Sequence, residues 1–288
     1  MKTPILITGS RGMLGTDLVR ACEEKVGRTQ VIPTTSQSFD ITNYRQVSSM
    51  LQQLRPKVII NAAAYTDVDG AEIEREQAFR INVIGPANLA RVCEILNIKL
   101  IHFSTDHVFD GSKNERWTEE DEPHPMNYYA ETKLLGEEQV LKYDEAIVLR
   151  VQWLYGETKE RFTKLEKATT FSPFTDQFGA PTWTRQVSSV VVELLEKEVK
   201  GLFHFAYDDF ASWEEVYEFV KGELDATTEL TPQSVDAIKL GARRPKYSVL
   251  SNAKLLKVLD KPSMGSWKSP LKEFLDEVKS PTDRPLNQ

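Results

Sequence analysis

The 288-residue sequence predicts an α/β protein: a doubly wound parallel sheet with a smaller C-terminal lobe. Three observations point there. Short β-branched runs alternate with helical patterns from Pro4 to Gly156. The run "KVIINAAA" (57–64) is almost continuously apolar, as a strand covered on both faces must be. The first strand also runs straight into "TGSRGMLG" (8–15), whose glycines are spaced G-x-x-G-x-x-G. Strands and helices that alternate through right-handed crossovers build a parallel sheet with helices on both faces.

Taken in order, "PILIT" (4–8) reads as a strand and "GMLGTDLVRACEEK" (12–25) as a helix, with Leu14, Leu18 and Cys22 on one stripe. "QVIPTT" (30–35) is a strand made irregular at its end by Pro33. "NYRQVSSMLQQLRP" (43–56) is a helix capped by Asn43. After strand 57–64, one Ala- and Glu-rich helix is expected over about 73–97, then strand "KLIHFSTD" (99–106). "YYAETKLLGEEQVLKY" (128–143) is a helix and "AIVLRVQWLYG" (146–156) a strand. Beyond that the pattern is mixed: 171–184 loop-like, 186–198 helical, 201–206 a strand. Residues 212–224 form a helix opened by a Ser212/Glu215 capping box, 269–279 the last helix, and "PTDRPLNQ" (281–288) a frayed end. The expected division is a sheet domain over 1–156 and a lobe over 157–288, with about 183–206 returning to the sheet domain.

Composition narrows the function classes. Hydrophobic residues make up 40% and charged residues 27%, as in a globular protein, and the formal charge is −7. That charge gives no reason to expect nucleic acid or an anionic membrane as a partner. Basic residues are scattered, "GARRPK" (241–246) being the nearest thing to a cluster. No apolar run reaches the roughly 18 residues of a membrane-spanning helix. The N-terminal "MKTPILITGSRGMLG" reads as a strand and not as a signal peptide, so a cytoplasmic location is expected. Cys22 and Cys93 are expected to be free buried thiols. The histidines, His102, His107, His124 and His204, show no metal spacing, and no metal site is expected.

The glycine loop implies a dinucleotide. A strand–turn–helix crossing needs glycine where backbone amides approach a pyrophosphate, and the helix N-terminus supplies unpaired N–H groups. Gly9, Ser10, Arg11, Gly12, Met13 and Leu14 are therefore candidate cofactor contacts, and the sheet domain reads as a Rossmann-type dinucleotide-binding domain. An acid at the end of the second strand normally binds the 2′-hydroxyl of NAD. Here that region is "IPTTSQS", without an acid, and Asp40 comes later. Arg11 offers a guanidinium for a 2′-phosphate, the alternative being an exposed arginine without a ligand. NADPH is expected, with NADH as the second choice.

Strand 99–106 ends in Ser104, Thr105 and Asp106, at the edge that faces the ligand crevice in an open α/β sheet. Tyr129 and Lys133 follow at i and i+4 on one helical face. Alone they read as a surface aromatic beside a surface lysine. The order glycine loop, strand-end hydroxyl, Tyr-x-x-x-Lys resembles the extended branch of the short-chain dehydrogenase/reductase superfamily. The segments "NAAAYTDVDGAE" (61–72), "STDHVFDG" (104–111), "NYYAETKLLGEE" (127–138), "LRVQWLYG" (149–156), "DQFGAPTWT" (176–184) and "RPKYSVLSNAKL" (244–255) resemble the successive motifs of the dTDP-4-dehydrorhamnose reductases, across nearly the whole chain.

That resemblance implies hydride transfer from a nicotinamide to the C4 ketone of a nucleotide-linked 6-deoxysugar. Tyr129 would donate the proton, Thr105 would bond the ketone oxygen, and the Lys133 ammonium would lower the phenol's pKa and hold the nicotinamide ribose. Asp40 and Ile41 would lie beside the adenine, with Ala63, Ala64 and Tyr65 also at the cofactor. Thr66, Val68, Asp106, His107 and Trp153 would contact substrate; a core tryptophan is the other reading of Trp153. Some relatives bind magnesium, but no motif here locates it. A nucleotide-sugar is the expected partner, and a homodimer an open expectation.

The chain departs from the family pattern on the substrate side. His107 replaces the usual tyrosine, Ala130 a glycine, Val151-Gln152 a Thr-Ser pair and Gly70 a common lysine, and the stretch from Gly156 to Asp176 is short. A sugar-nucleotide 4,6-dehydratase shares the fold but needs an Asp-Glu pair where Asp106-His107 stands. The regulatory β subunit of methionine adenosyltransferase, which shares fold and motifs but serves as a binding partner, is the non-catalytic alternative. A reductase of a different nucleotide-sugar is the other.

Overall fold

In a computed structural model, which describes residues 4–158 and 161–279, six strands form one parallel sheet. They are β1 (Ile5–Thr8), β2 (Val31–Pro33), β3 (Val58–Asn61), β4 (Lys99–Thr105), β5 (Ile147–Val151) and β6 (Gly201–His204), in the order β6-β5-β4-β3-β1-β2. Every pairing within it is parallel. The order reverses direction between β1 and β3, the switch point where such sheets open a ligand crevice.

Strand side chains alternate between two buried faces. Ile5, Ile7, Ile60, Ile101, Phe103 and Leu149 pack with Leu14, Leu18 and Cys22 of α1 (Met13–Val26) and with Val187, Val190 and Val191 of the helix Thr184–Leu195. Leu6, Ile59, Leu100 and Val148 face the other way, onto Val47 and Leu51 of α2 (Tyr44–Leu54), Leu89, Val92 and Cys93 of α3 (Gly85–Leu96), and Val140 of α4 (Tyr128–Leu141). This double burial is why the strands read as unbroken apolar runs. In order after α4, the helix Thr184–Leu195 is α5, Trp213–Leu224 is α6, Ala253–Leu259 is α7 and Lys268–Lys279 is α8. The α2 and α6 caps form as expected: Asn43 accepts from Gln46 N at 3.2 Å, and Ser212 and Glu215 bond each other's backbone.

Three expectations are corrected. The single helix over 73–97 is instead Gly70–Ile73, Arg75–Phe79, a wide π turn at Arg80–Ile84, and then α3. Pro86 cannot donate the helical bond that the Asn82 carbonyl would take, so the ladder loosens there. The Asn82 side chain holds the opened turn, accepting from Tyr65 N at 2.8 Å and donating to Tyr65 O and Thr132 Oγ1 at 3.0 Å each. The strand expected over 146–156 stops at Val151; Trp153 takes a left-handed φ of +43°, and Leu154–Tyr155 pairs separately with Thr182–Trp183. The loop-like 171–184 contains two-residue strands, and α7 falls in a stretch the periodicity left unassigned. The expected frayed end, 281–288, lies outside the described residues.

Candidate active site

The glycine loop is shaped by contact. Gly9 has φ +65°, and a Cβ on it would stand 2.7 Å from the Ala62 carbonyl oxygen; one on Gly15 would stand 2.0 Å from that of Gly9. These two glycines let the loop, the end of β3 and α1 close on one another. Gly12 caps α1 without a side chain, so the helix N-terminus is left open, and Arg11 is exposed beside it. The loop therefore fits a dinucleotide pyrophosphate.

Beyond β2 a cleft of about 580 Å³ is walled by Ser36, Asp40 and Thr42 on one side and by Glu74, Gln77 and Arg80 on the other. The Asp40 carboxylate accepts from Thr42 N at 2.9 Å and Thr42 Oγ1 at 2.8 Å, while Arg80 Nη2 donates to Thr42 Oγ1 at 3.3 Å. Ile41 is buried, pressed into the space over Gly85. Arg80 had no signal in the sequence, because the π turn is what brings the second wall across. The cleft does not extend to Tyr129.

At the end of β3, Ala63 N donates to both Thr8 Oγ1 and Asn61 Oδ1 at 3.3 Å. Ala64 is half-buried, the Tyr65 hydroxyl donates to Glu74 at 2.9 Å, Thr66 is exposed and Val68 half-buried.

The residues expected to react gather at the end of β4. Thr105 Oγ1 donates to Asp106 Oδ1 at 3.2 Å and accepts from His107 N at 3.2 Å. The His107 ring meets the Tyr129 ring edge-on, centroids 6.0 Å apart, and its Nδ1 is buried without a partner. Burial lowers the His107 pKa, with Asp106 opposing and Arg244 adding to the drop. The Asp106 carboxyl is raised by burial, although His107, Ser248 and Thr105 oppose this. Tyr129 and Lys133 share one face of α4, which Asn127 caps by accepting from Ala130 N at 2.8 Å. Lys133 is 4% exposed, and its Nζ donates to the Phe103 carbonyl at 2.6 Å.

One electrostatic expectation is reversed. Burial pushes the Tyr129 phenol up to about 12, the neighbouring Thr105 side chain pulling down and Asp106 pushing up. Burial brings Lys133 down to about 8, with Glu137 opposing. The ammonium is engaged by the Phe103 carbonyl, and burial is the largest influence on the phenol here.

Trp153 belongs to the lobe's aromatic stack: its ring lies on Trp213, centroids 3.9 Å apart and 12° from parallel, and fills the space over Gly179. Sequence reasoning missed several supporting groups, including Ser248, whose hydroxyl donates to Asp106 Oδ2 at 2.5 Å, and the Asp69–Arg244 pair. Their partners lie far apart in the chain and no local spacing marks them. Among the described residues, no group of three or more His, Cys, Asp or Glu is placed to hold a metal, and no helix is long and apolar enough to cross a membrane.

The chain is similar to known proteins over most of its length. Residues 1–280 match the family model described as RmlD substrate binding domain. A dTDP-4-dehydrorhamnose reductase of Aggregatibacter actinomycetemcomitans is 36% identical over 75% of this chain and 76% of its own. A dTDP-4-keto-6-deoxy-D-glucose reductase of Streptomyces niveus is 34% identical over 86% and 88%. The crystal structure of the Bacillus anthracis dTDP-4-dehydrorhamnose reductase in complex with NADP superposes with a TM-score of 0.89, at 31% identity, covering 96% of this chain and 100% of that one. With a family model spanning nearly its whole length and relatives above 30% identity over most of it, the chain belongs to the RmlD substrate binding domain family.

Proposed function

We propose that the protein uses NADPH to reduce the C4 ketone of a nucleotide-linked 4-keto-6-deoxysugar, with dTDP-4-dehydrorhamnose to dTDP-L-rhamnose as the leading reaction. Membership of the family makes the chain a NAD(P)H-dependent sugar-nucleotide ketoreductase; the relatives' differing names are why the particular sugar is part of the proposal. The observation that carries the reading is the gathering of Thr105, Tyr129 and Lys133 where β4 meets the crevice, with Tyr129 and Lys133 one helical turn apart.

A bound nicotinamide supplies the hydride to C4. Tyr129 then gives its proton to the oxygen that gains charge, and the Thr105 hydroxyl steadies that oxygen. A phenol held up at about 12 keeps its proton at neutral pH and yields it only to a strong base, which a developing alkoxide is. Lys133, charged below about 8, stabilises the phenolate left behind and is assigned to the nicotinamide ribose. Proton donation of this kind contributes about 10²–10⁴-fold. Support for NADPH comes from exposed Arg11 in the loop and from the NADP held by the Bacillus anthracis relative.

The test is to follow NADPH absorbance across a panel of 4-keto-6-deoxysugar nucleotides. Turnover of the rhamnose precursor above the others supports the proposal. Preference for another sugar would move the assignment within the family, and NADPH binding without any turnover would favour the regulatory-subunit reading.

A further inference from the structure

One stretch, Gly241–Ser248, is bonded to the segments that carry the expected contacts Thr66, Val68, Asp106 and His107 and to the one packed under Trp153. The loop with Thr66 and Val68 is held through Asp69, whose carboxylate takes Arg244 Nη2 at 2.6 Å, Arg244 Nη1 at 3.1 Å and Ala242 N at 2.8 Å. The end of β4 is held through Ser248 Oγ on Asp106. The helix bearing Tyr129 is held at its cap, where Asn127 Nδ2 donates to the Arg243 carbonyl at 2.7 Å. The segment under Trp153 is held by Phe178 N to Lys246 O at 2.7 Å and Ser248 N to Phe178 O at 3.2 Å. None of these bonds involves the glycine loop or the Asp40 cleft.

We propose that Arg244 is a positioning residue for the sugar end of the substrate: paired with Asp69, it clamps this strap across the strand ends and so sets the pocket around His107 and Tyr129. This rests on the reductase reading. The pair suits the task because a planar guanidinium meeting a carboxylate through two nitrogens fixes direction as well as distance. Arg244 Nη1 also donates to Ala242 O at 2.8 Å, which locks its own loop, and a Cβ on Gly241 would stand only 2.9 Å from Asp69 Oδ1. The Arg244 charge is felt at His107, whose unpartnered buried Nδ1 lies beside the Tyr129 ring.

The experiment compares wild type with Arg244→Met, Arg244→Lys, Asp69→Asn and the double variant Asp69→Asn/Arg244→Met. Four quantities are read: KM and kcat for the keto-sugar nucleotide, affinity for dTDP-L-rhamnose in the presence of NADP, affinity for NADPH, and thermal midpoint. Arg244→Met should raise KM and weaken product binding at least tenfold, with NADPH affinity within twofold of wild type. Arg244→Lys should recover part of the loss, and the double variant should be no worse than the poorer single one, because both remove the same contact. Unchanged sugar-nucleotide affinity in folded Arg244→Met or Asp69→Asn protein overturns the proposal, as does an equal loss of NADPH affinity. Should wild type accept no keto-sugar nucleotide, the reductase reading falls separately. Amide exchange then judges the clamp: faster exchange at both 65–70 and 105–111 in the variants sustains it, and unchanged exchange sinks it.

Discussion

The Arg150 guanidinium and the Glu137 carboxylate form a buried two-point pair one helical turn beyond Lys133: Nη2 to Oε1 at 2.5 Å and Nε to Oε2 at 3.0 Å. Arg150 Nη1 donates onward to His204 Nε2 at 3.2 Å. Since arginine can only donate, Nε2 is the accepting nitrogen, and the His204 proton sits on Nδ1, facing the Trp117 carbonyl at 3.2 Å. Burial first, and Arg150 second, drive the His204 pKa well below its ordinary value, so the imidazole is neutral. Glu137→Gln or Arg150→Met leaves one buried charge without its partner and should cost about 3–5 kcal/mol. Replacing both by apolar residues should cost much less. Urea unfolding of the three variants checks this, and equal, additive losses would show that the two groups act independently.

Tyr129→Phe should lower turnover by at least about 10²-fold, while folding and NADPH binding persist because only a hydroxyl is lost. Near-normal turnover would overturn the assigned proton donor.

The rate should fall as pH rises through about 8. Burial disfavours the charged form of Lys133, so its ammonium is lost at lower pH than that of a free lysine, and with it the stabilisation of the phenolate. Lys133→Met should remove this limb of the pH–rate profile and weaken NADPH binding. A limb that survives the substitution belongs to another group.

Arg11→Ala should weaken NADPH by roughly ten- to a hundredfold, about 1.5–3 kcal/mol for a charge-assisted contact, and leave NADH nearly unchanged. Fluorescence titration with both cofactors measures it. Equal affinities in the wild-type protein would remove the basis for the assignment.

His107→Tyr should change the ratio of kcat/KM between keto-sugars, because the ring lies against Tyr129 with a buried nitrogen that no protein group takes. NADPH affinity should stay the same. An effect confined to the cofactor would put His107 outside the sugar pocket.

Gly136→Ala would place a methyl group 1.9 Å from the Asn82 carbonyl oxygen, so either α4 or the π turn must move. Overpacking of this kind should cost roughly 1–3 kcal/mol, read from the urea midpoint. An unchanged midpoint would mean that the turn yields freely.

The sequence by itself determined the layered sheet, the loop at its switch point and the helix that carries Tyr129 and Lys133. Each is written in short-range order: apolar runs for strands buried on both faces, glycines where a Cβ would collide, and a four-residue spacing that puts two side chains on one helical face. Tertiary structure decided the rest. Pro86 and Asn82 are visible in the sequence, but whether they break a helix depends on what Tyr65 and Thr132 offer from other elements. The direction of the Tyr129 pKa followed burial, which no local pattern of charges reveals. Trp153 was directed by Trp213 and Gly179, and Asp106 by Ser248 across 142 positions of chain. Such pairs carry no period or spacing; they exist only once the chain has closed on itself.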